Sequence, residues 1–91
     1  MALEILVVDD EADIRDLIAA ILNDEGYATR TARDSDTTLA ALAERRPSLL
    51  VLDIWLQGSR MDGLELLEEV KRRDPTLPVI VIQAMATSRR R

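Results

Sequence analysis

The chain's pattern predicts an α/β fold, a small parallel sheet with helices on both faces, on three observations. Short, continuous apolar runs recur at Ile5-Leu6-Val7-Val8, Leu49-Leu50-Val51-Leu52 and Val79-Ile80-Val81-Ile82, each of strand length and too uniformly apolar for a sheet with one wet face. The stretches between them repeat apolar residues at three- and four-residue steps, the period of a helix. The connections are also long enough to carry crossover helices, which favours parallel strands joined by right-handed crossovers. With 91 residues there is room for one small domain.

Taken in order, the elements alternate as β-α-β-α-β-α-β. Ile5 to Val8 forms the first strand and ends in Asp9-Asp10. Ile14, Leu17, Ile18, Ile21 and Leu22 then mark the apolar stripe of a helix from about Ala12 to Glu25, which Gly26 closes in a left-handed conformation. Tyr27 to Ala32 alternates Ala28, Arg30 and Ala32 with Thr29 and Thr31, a partly polar strand suited to a sheet edge. Asp34 or Ser35 caps a second helix through Leu39, Leu42 and Ala43, which Pro47 ends by lacking a backbone donor. Leu49 to Asp53 is a strand covered on both faces. A loop from Ile54 to Met61 follows, with Gly58 at its flexible centre, and Asp62-Gly63-Leu64-Glu65 has the spacing of a capping box. Leu64, Leu67 and Val70 are expected to be the buried stripe of the third helix, which Asp74-Pro75 closes before Pro78 leads into the fourth strand.

Composition removes several classes of function. The formal net charge of −5 argues against a nucleic-acid groove, which needs clustered Lys and Arg. Arg89-Arg90-Arg91 is read as a solvated tail. With neither Cys nor His, the chain has no disulfide, thiol nucleophile, imidazole base or ordinary zinc site. No apolar run approaches a membrane span, and the amino terminus lacks the pattern of a secretory signal, so a cytoplasmic protein with no membrane contact is expected.

What remains is carboxylate chemistry. In open α/β sheets ligands bind beyond the carboxyl ends of the strands, where successive connections leave in opposite directions. If the first strand lies between the second and third, Asp9 and Asp10 meet Asp53 at that point, on strands about 4.8 Å apart. Acids after strands are also common as helix caps and loop residues, which is the bland alternative for each taken singly. Three clustered acids repel unless a cation neutralises them, and a hard divalent ion suits an all-oxygen set. Mg2+ is expected there, with Mn2+ as a substitute, through Asp10 and Asp53 directly and Asp9 partly through water. A carboxylate beside such an ion suggests a phosphoryl acceptor.

The motifs Ile5-Leu-Val-Val-Asp-Asp-Glu11, Leu52-Asp-Ile54 and Met61-Asp-Gly-Leu64 resemble the receiver domains of two-component response regulators. That resemblance, over residues 3 to 82, implies a flavodoxin-like (CheY-like) sheet and phosphorylation of one aspartate by a partner sensor histidine kinase. The segment from Ile54 to Gly63 looks like the longer loop of NtrX-type nitrogen and redox regulators. By position, Asp53 matches the phosphoacceptor, Asp9 and Asp10 the acidic pair that holds magnesium, and the backbone carbonyl of Trp55 the remaining protein ligand. The indole of Trp55 covers the loop or packs on a neighbouring chain and is assigned no chemistry. A haloacid-dehalogenase-like phosphatase would need a second Asp where Trp55 stands, and no enzymatic activity is expected.

The chain also departs from the family. Receivers continue with a further helix, a fifth strand and a last helix, so the expected sheet is incomplete, in strand order 2-1-3-4, with residues 1–82 a truncated receiver domain and 83–91 a divergent tail. Gln83 stands where the family has Ser or Thr, the lysine after the fifth strand is missing, and Lys71 lies too late on the third helix to replace it. One sheet face and the fourth strand's edge are then expected to be bare. That predicts a homodimer or larger assembly, with the tail from Gln83 to Arg91 crossing between chains, and a competing role as a truncated receiver acting mainly through self-association.

Overall fold

A computed structural model describes residues 3–83. It contains β1 (Glu4–Val8), α1 (Ala12–Asp24), β2 (Ala28–Ala32), α2 (Ser35–Glu44), β3 (Leu49–Asp53), α3 (Gly63–Arg73) and β4 (Val79–Ile82). The four strands are parallel, as the apolar runs predict, and stand in the order β2-β1-β3-β4 that the resemblance implies. The expected tail, apart from Gln83, lies outside the described residues.

Local chemistry sets the boundaries. Gly26 has φ +98° and closes α1 as expected; its N–H donates to the Asn23 carbonyl and that of Tyr27 to the Leu22 carbonyl, so two last-turn acceptors are satisfied. The caps of α2 and α3 are reciprocal: Asp34 accepts from the Thr37 N–H at 2.8 Å, and Asp62 accepts from the Glu65 N–H at 2.8 Å while Glu65 accepts from the Asp62 N–H at 3.0 Å. Helix α2 stops at Glu44, before Pro47: Arg45 turns to an extended conformation and still donates to the Ala41 carbonyl. The residue preceding a proline is itself pushed out of the helical region, so the break begins upstream of the missing donor.

Each face of the sheet has its own core. On the side of α2 and α3, Leu6, Val8, Leu50 and Leu52 pack with Leu56, Leu66, Val70 and Leu77, all buried. On the side of α1 a smaller cluster of Ile5, Val7 and Val51 is buried, with Ile18, Leu22, Leu49 and Ile82 packed around it. Burying a Leu or Val side chain contributes about 1.5–3 kcal/mol, so the first layer carries most of the hydrophobic stabilisation.

Two expected stripes need correction. Leu64 is 55% exposed, and Leu66 takes its place in the core. The face of α3 that meets the sheet is Gly63, Leu66, Leu67 and Val70, so Leu67 and Val70 stand as expected; a glycine adds no apolar side chain to the period, which therefore reads Leu64 in place of Leu66. On α1, Leu17 and Ile21 are also more than half exposed, while Ala19 is buried. The edge position of β2 stands. Arg30, at its centre, donates to the Glu4 carboxylate at 3.0 Å and to the Ala41 carbonyl at 2.9 Å, tying β2 to β1 and α2.

Candidate functional site

Strand register builds the site. Val8 pairs with Leu52, so the residues that follow each, Asp9 and Asp53, leave neighbouring strands side by side at their carboxyl ends. Both carboxylates are fully buried, and Asp10 is half-buried next to them. Asp9, Asp10 and Asp53 each offer one oxygen such that the three lie within 4.8 Å of one another. The convergence expected from the sequence is therefore present.

The polypeptide orients all three acids with backbone donors. The Glu11 N–H donates to Asp9 Oδ1 at 2.8 Å and the Trp55 N–H to Asp53 Oδ1 at 3.0 Å, so each buried acid accepts from the residue two positions on and its carboxylate rotation is set. Asp10 Oδ2 accepts from the Gln57 N–H at 3.1 Å, which brings the loop after β3 over the site. Arg15 donates to the Asp9 backbone carbonyl at 2.9 Å. The reading of Asp10 as a helix cap does not hold, because the residue capping α1 is Glu11 and no side chain bonds there.

Two unit charges 4.8 Å apart repel by about 3.5 kcal/mol at an effective dielectric of ~20, so three carboxylates at this spacing favour a cation among them. The set is all oxygen and the chain has neither His nor Cys to add, which suits a small, hard divalent ion.

The loop from Ile54 to Met61 frames this cluster. Leu56 is buried, Gly58 has φ +69°, and Trp55 is 47% exposed. Two contacts here are not legible from spacing. A side chain on Gly63 would place its Cβ 2.5 Å from the Cα and carbonyl oxygen of Ile54, so α3 begins directly against the backbone that follows Asp53. Ser35, fully buried at the start of α2, donates its N–H to Ser59 Oγ at 2.8 Å and accepts from the Met61 N–H at 3.2 Å. The Asp-Gly after the loop was the available signal for the first; the second had none, since the serines are 24 residues apart.

Lys71 donates to the Leu77 carbonyl at 2.7 Å, a fixed tether at the end of α3 where a solvated side chain was expected. Gln83 is exposed and follows β4 directly. Elsewhere, hydrogen bonding from the Thr37 N–H holds the Asp34 carboxyl below its ordinary range, and hydrogen bonding from Arg45 does the same for Glu4.

Comparison with known proteins is consistent with this geometry. A family model described as "Response regulator receiver domain" matches residues 5–90. The chain is 63% identical over 82 residues to "Nitrogen assimilation regulatory protein NtrX" of Azorhizobium caulinodans, a match covering 90% of this chain and 18% of that protein. It is 53% identical over 85 residues to a "Putative response regulator NtrX-like" of Rickettsia bellii, covering 93% of this chain and 18% of that one. The crystal structure of the receiver domain of NtrX from Brucella abortus superposes with a TM-score of 0.84 at 65% identity, over 85% of this chain and 64% of that chain. The chain thus spans about a fifth of the length of these curated relatives.

Proposed function

This chain belongs to the response regulator receiver domain family, and from that premise we propose that it is a cytoplasmic phosphoacceptor module in which a sensor histidine kinase phosphorylates Asp53. The similarity to NtrX read from the Ile54 to Gly63 loop is borne out by relatives at 63–65% identity. The observation that carries the proposal is a fully buried carboxylate at the end of a central strand, with two more acids from the adjacent strand within 4.8 Å.

In this reading a carboxylate oxygen of Asp53 attacks the phosphorus of the kinase's phosphohistidine. The P–N bond breaks, the imidazole departs with its electron pair, and an acyl phosphate forms. The Trp55 N–H, 3.0 Å from Asp53 Oδ1, holds the carboxylate in one rotation for that attack. Asp9, Asp10, Asp53 and the Trp55 backbone carbonyl would hold Mg2+, or Mn2+ in its place. When bound, the ion offsets the charge of the acids and of the incoming phosphoryl oxygens. The chain's own contribution is to pre-align three carboxylates with peptide N–H groups, so that little reorganisation accompanies transfer.

The test is intact-mass measurement after incubation with a small phosphodonor and magnesium. One phosphoryl group is expected on the wild-type chain and none on Asp53→Asn. No addition to the wild type, under conditions that label a complete receiver, would refute the proposal.

Exposed apolar residues favour a second reading, self-association. Leu17, Ile21 and Ile80 are each more than half exposed and Val81 is 41% exposed, with β4 at the border of the described sheet. Ile80 pairs in register with Val51 and so lies on the α1 side, where the core is smallest. Such a surface is offset by burial against a second copy at about 25 cal/mol/Å². Light scattering giving a monomer mass at tens of micromolar, with sharp and dispersed amide resonances, would exclude it.

A further inference from the structure

The loop between β3 and α3 reaches past the acidic cluster to a helix with no part in it. Its Gln57 N–H meets Asp10 Oδ2 at 3.1 Å, and two residues further on Ser59 is fastened to the start of α2. The fastening is reciprocal. The Ser35 N–H, which has no acceptor within its own helix because it lies in the first turn, is taken by Ser59 Oγ at 2.8 Å, and Ser35 Oγ accepts from the Met61 N–H at 3.2 Å. The neighbouring cap residue Asp34 is already engaged with Thr37. A third link, Arg60 to Asp36 at 2.9 Å, is exposed on both sides and adds little.

We propose that Ser35 and Ser59 are positioning residues for the acidic site: their clasp holds the loop in the place from which Gln57 orients Asp10 and Trp55 orients Asp53. The inference rests on the cation-binding reading above. Between the acids and the clasp the chain is held at its start by the Ile54 N–H on the Ile82 carbonyl at 2.9 Å and further on by the buried Leu56, and Gly58, at φ +69°, then turns it toward Ser59. A hydrogen bond from a peptide N–H weakens steeply with misalignment, so release of the far end of the loop loosens the carboxylates at the near end. Loss of groups that orient metal-binding carboxylates ordinarily lowers affinity by about 10-fold to 100-fold.

The experiment titrates Ser59→Ala, Ser59→Thr and wild type with magnesium, following Trp55 emission, and records the emission of each without metal. Trp55 is the sole tryptophan, so the signal has one source. Ser59→Ala is expected to raise the magnesium midpoint by about tenfold and to shift the metal-free emission. Ser59→Thr, which keeps the hydroxyl, restores both. In the wild-type chain magnesium is expected to slow hydrogen exchange at the Ser35 and Met61 amides, a readout that needs no variant. A Ser59→Ala chain that melts at a lower temperature but keeps the wild-type midpoint and emission would overturn the proposal, because the serines would then only cap α2. Unchanged exchange at Ser35 and Met61 in a chain that binds the ion would also overturn it. A wild-type chain with no magnesium response refutes the reading of the acids instead. The metal-free emission then decides the clasp by itself: a shift restored by threonine supports it and an unshifted spectrum overturns it.

Discussion

Replacing Gly63 with alanine tests how closely the start of α3 is tied to the acceptor strand. The added Cβ would lie 2.5 Å from Ile54 Cα and its carbonyl oxygen and 2.7 Å from its carbonyl carbon, where ordinary contact begins at 3.4 Å. All three atoms are backbone, so no side chain can swing aside, and the helix or the strand end must shift by roughly 0.9 Å, the shortfall from ordinary contact. Overpacking of this kind costs about 1–3 kcal/mol, while alanine at the first position of α3 recovers only part of the about 0.8–1 kcal/mol that it gains in a helix interior. The net expectation is a loss of about 1–2 kcal/mol, measured by urea unfolding as a lower midpoint with an unchanged slope. A second effect follows because Ile54 lies between Asp53 and the Trp55 N–H that orients it. A misplacement near 1 Å slows an aligned reaction by about 100-fold, so acquisition of the phosphoryl group should slow comparably. A Gly63→Ala chain at least as stable as wild type that is phosphorylated at the wild-type rate would refute the reasoning, since propensity would have won and the close approach would be immaterial.

Leu66→Ala should lower stability by about 2–5 kcal/mol, while Leu64→Ala changes it by no more than about 0.5 kcal/mol, as judged by urea unfolding; equal effects would contradict the phase of α3. Asp10→Asn keeps an oxygen for the Gln57 N–H but removes one of three mutually repelling charges, so it should raise metal-free stability by about 1–2 kcal/mol and abolish stabilisation by magnesium. In the wild type, magnesium at 100 times its dissociation constant should add about 2.7 kcal/mol, checked by thermal unfolding across a concentration series. Acid should destabilise the fold by a defined route. The Glu4, Asp34 and Asp74 carboxyls are held below their ordinary range chiefly by hydrogen bonds from Arg45, from the Thr37 N–H and from Arg46, respectively. Their contribution is complete above about pH 4–5 and lost as pH falls through the lowered folded values, so the slope should be shallower in Glu4→Gln.

What could be read from the sequence follows from where side chains alone decide the outcome. Four apolar runs or alternating segments, spaced for crossovers, were enough to predict parallel strands; their order comes from the family resemblance, and strand register then brings Asp9 and Asp53 together. Caps were equally legible, since Asp34 and Asp62 act within three residues of themselves. Burial on helices was harder. Leu64 and Leu66 are both leucines in one turn, and the choice between them was made by Gly63, whose contribution is the absence of a side chain. Leu17 and Ile21 have the right period on α1, yet it is Ile18 and Leu22 that pack on the sheet's core and Ala19 that is buried. The Ser35 and Ser59 pair could not be found from spacing because it joins residues 24 apart through backbone groups, and nothing in two serines marks them as partners.

The two borders of the described sheet are chemically unlike. At one, β2 presents Thr29, Arg30 and Thr31, with Arg30 committed to Glu4; at the other, β4 is Val79-Ile80-Val81-Ile82. A second copy joining by its β4 to this β2 would leave a fresh β2 exposed at the far end, and the addition could repeat without limit as a fibre. That match sets an aliphatic strand against an ion-paired, hydroxyl-bearing one and is disfavoured. Joining β4 to β4 about a twofold axis makes the contact antiparallel and consumes both aliphatic borders at once. The asymmetry would therefore act as a stop: β4-to-β4 pairing closes at two chains and leaves the polar β2 borders facing outward.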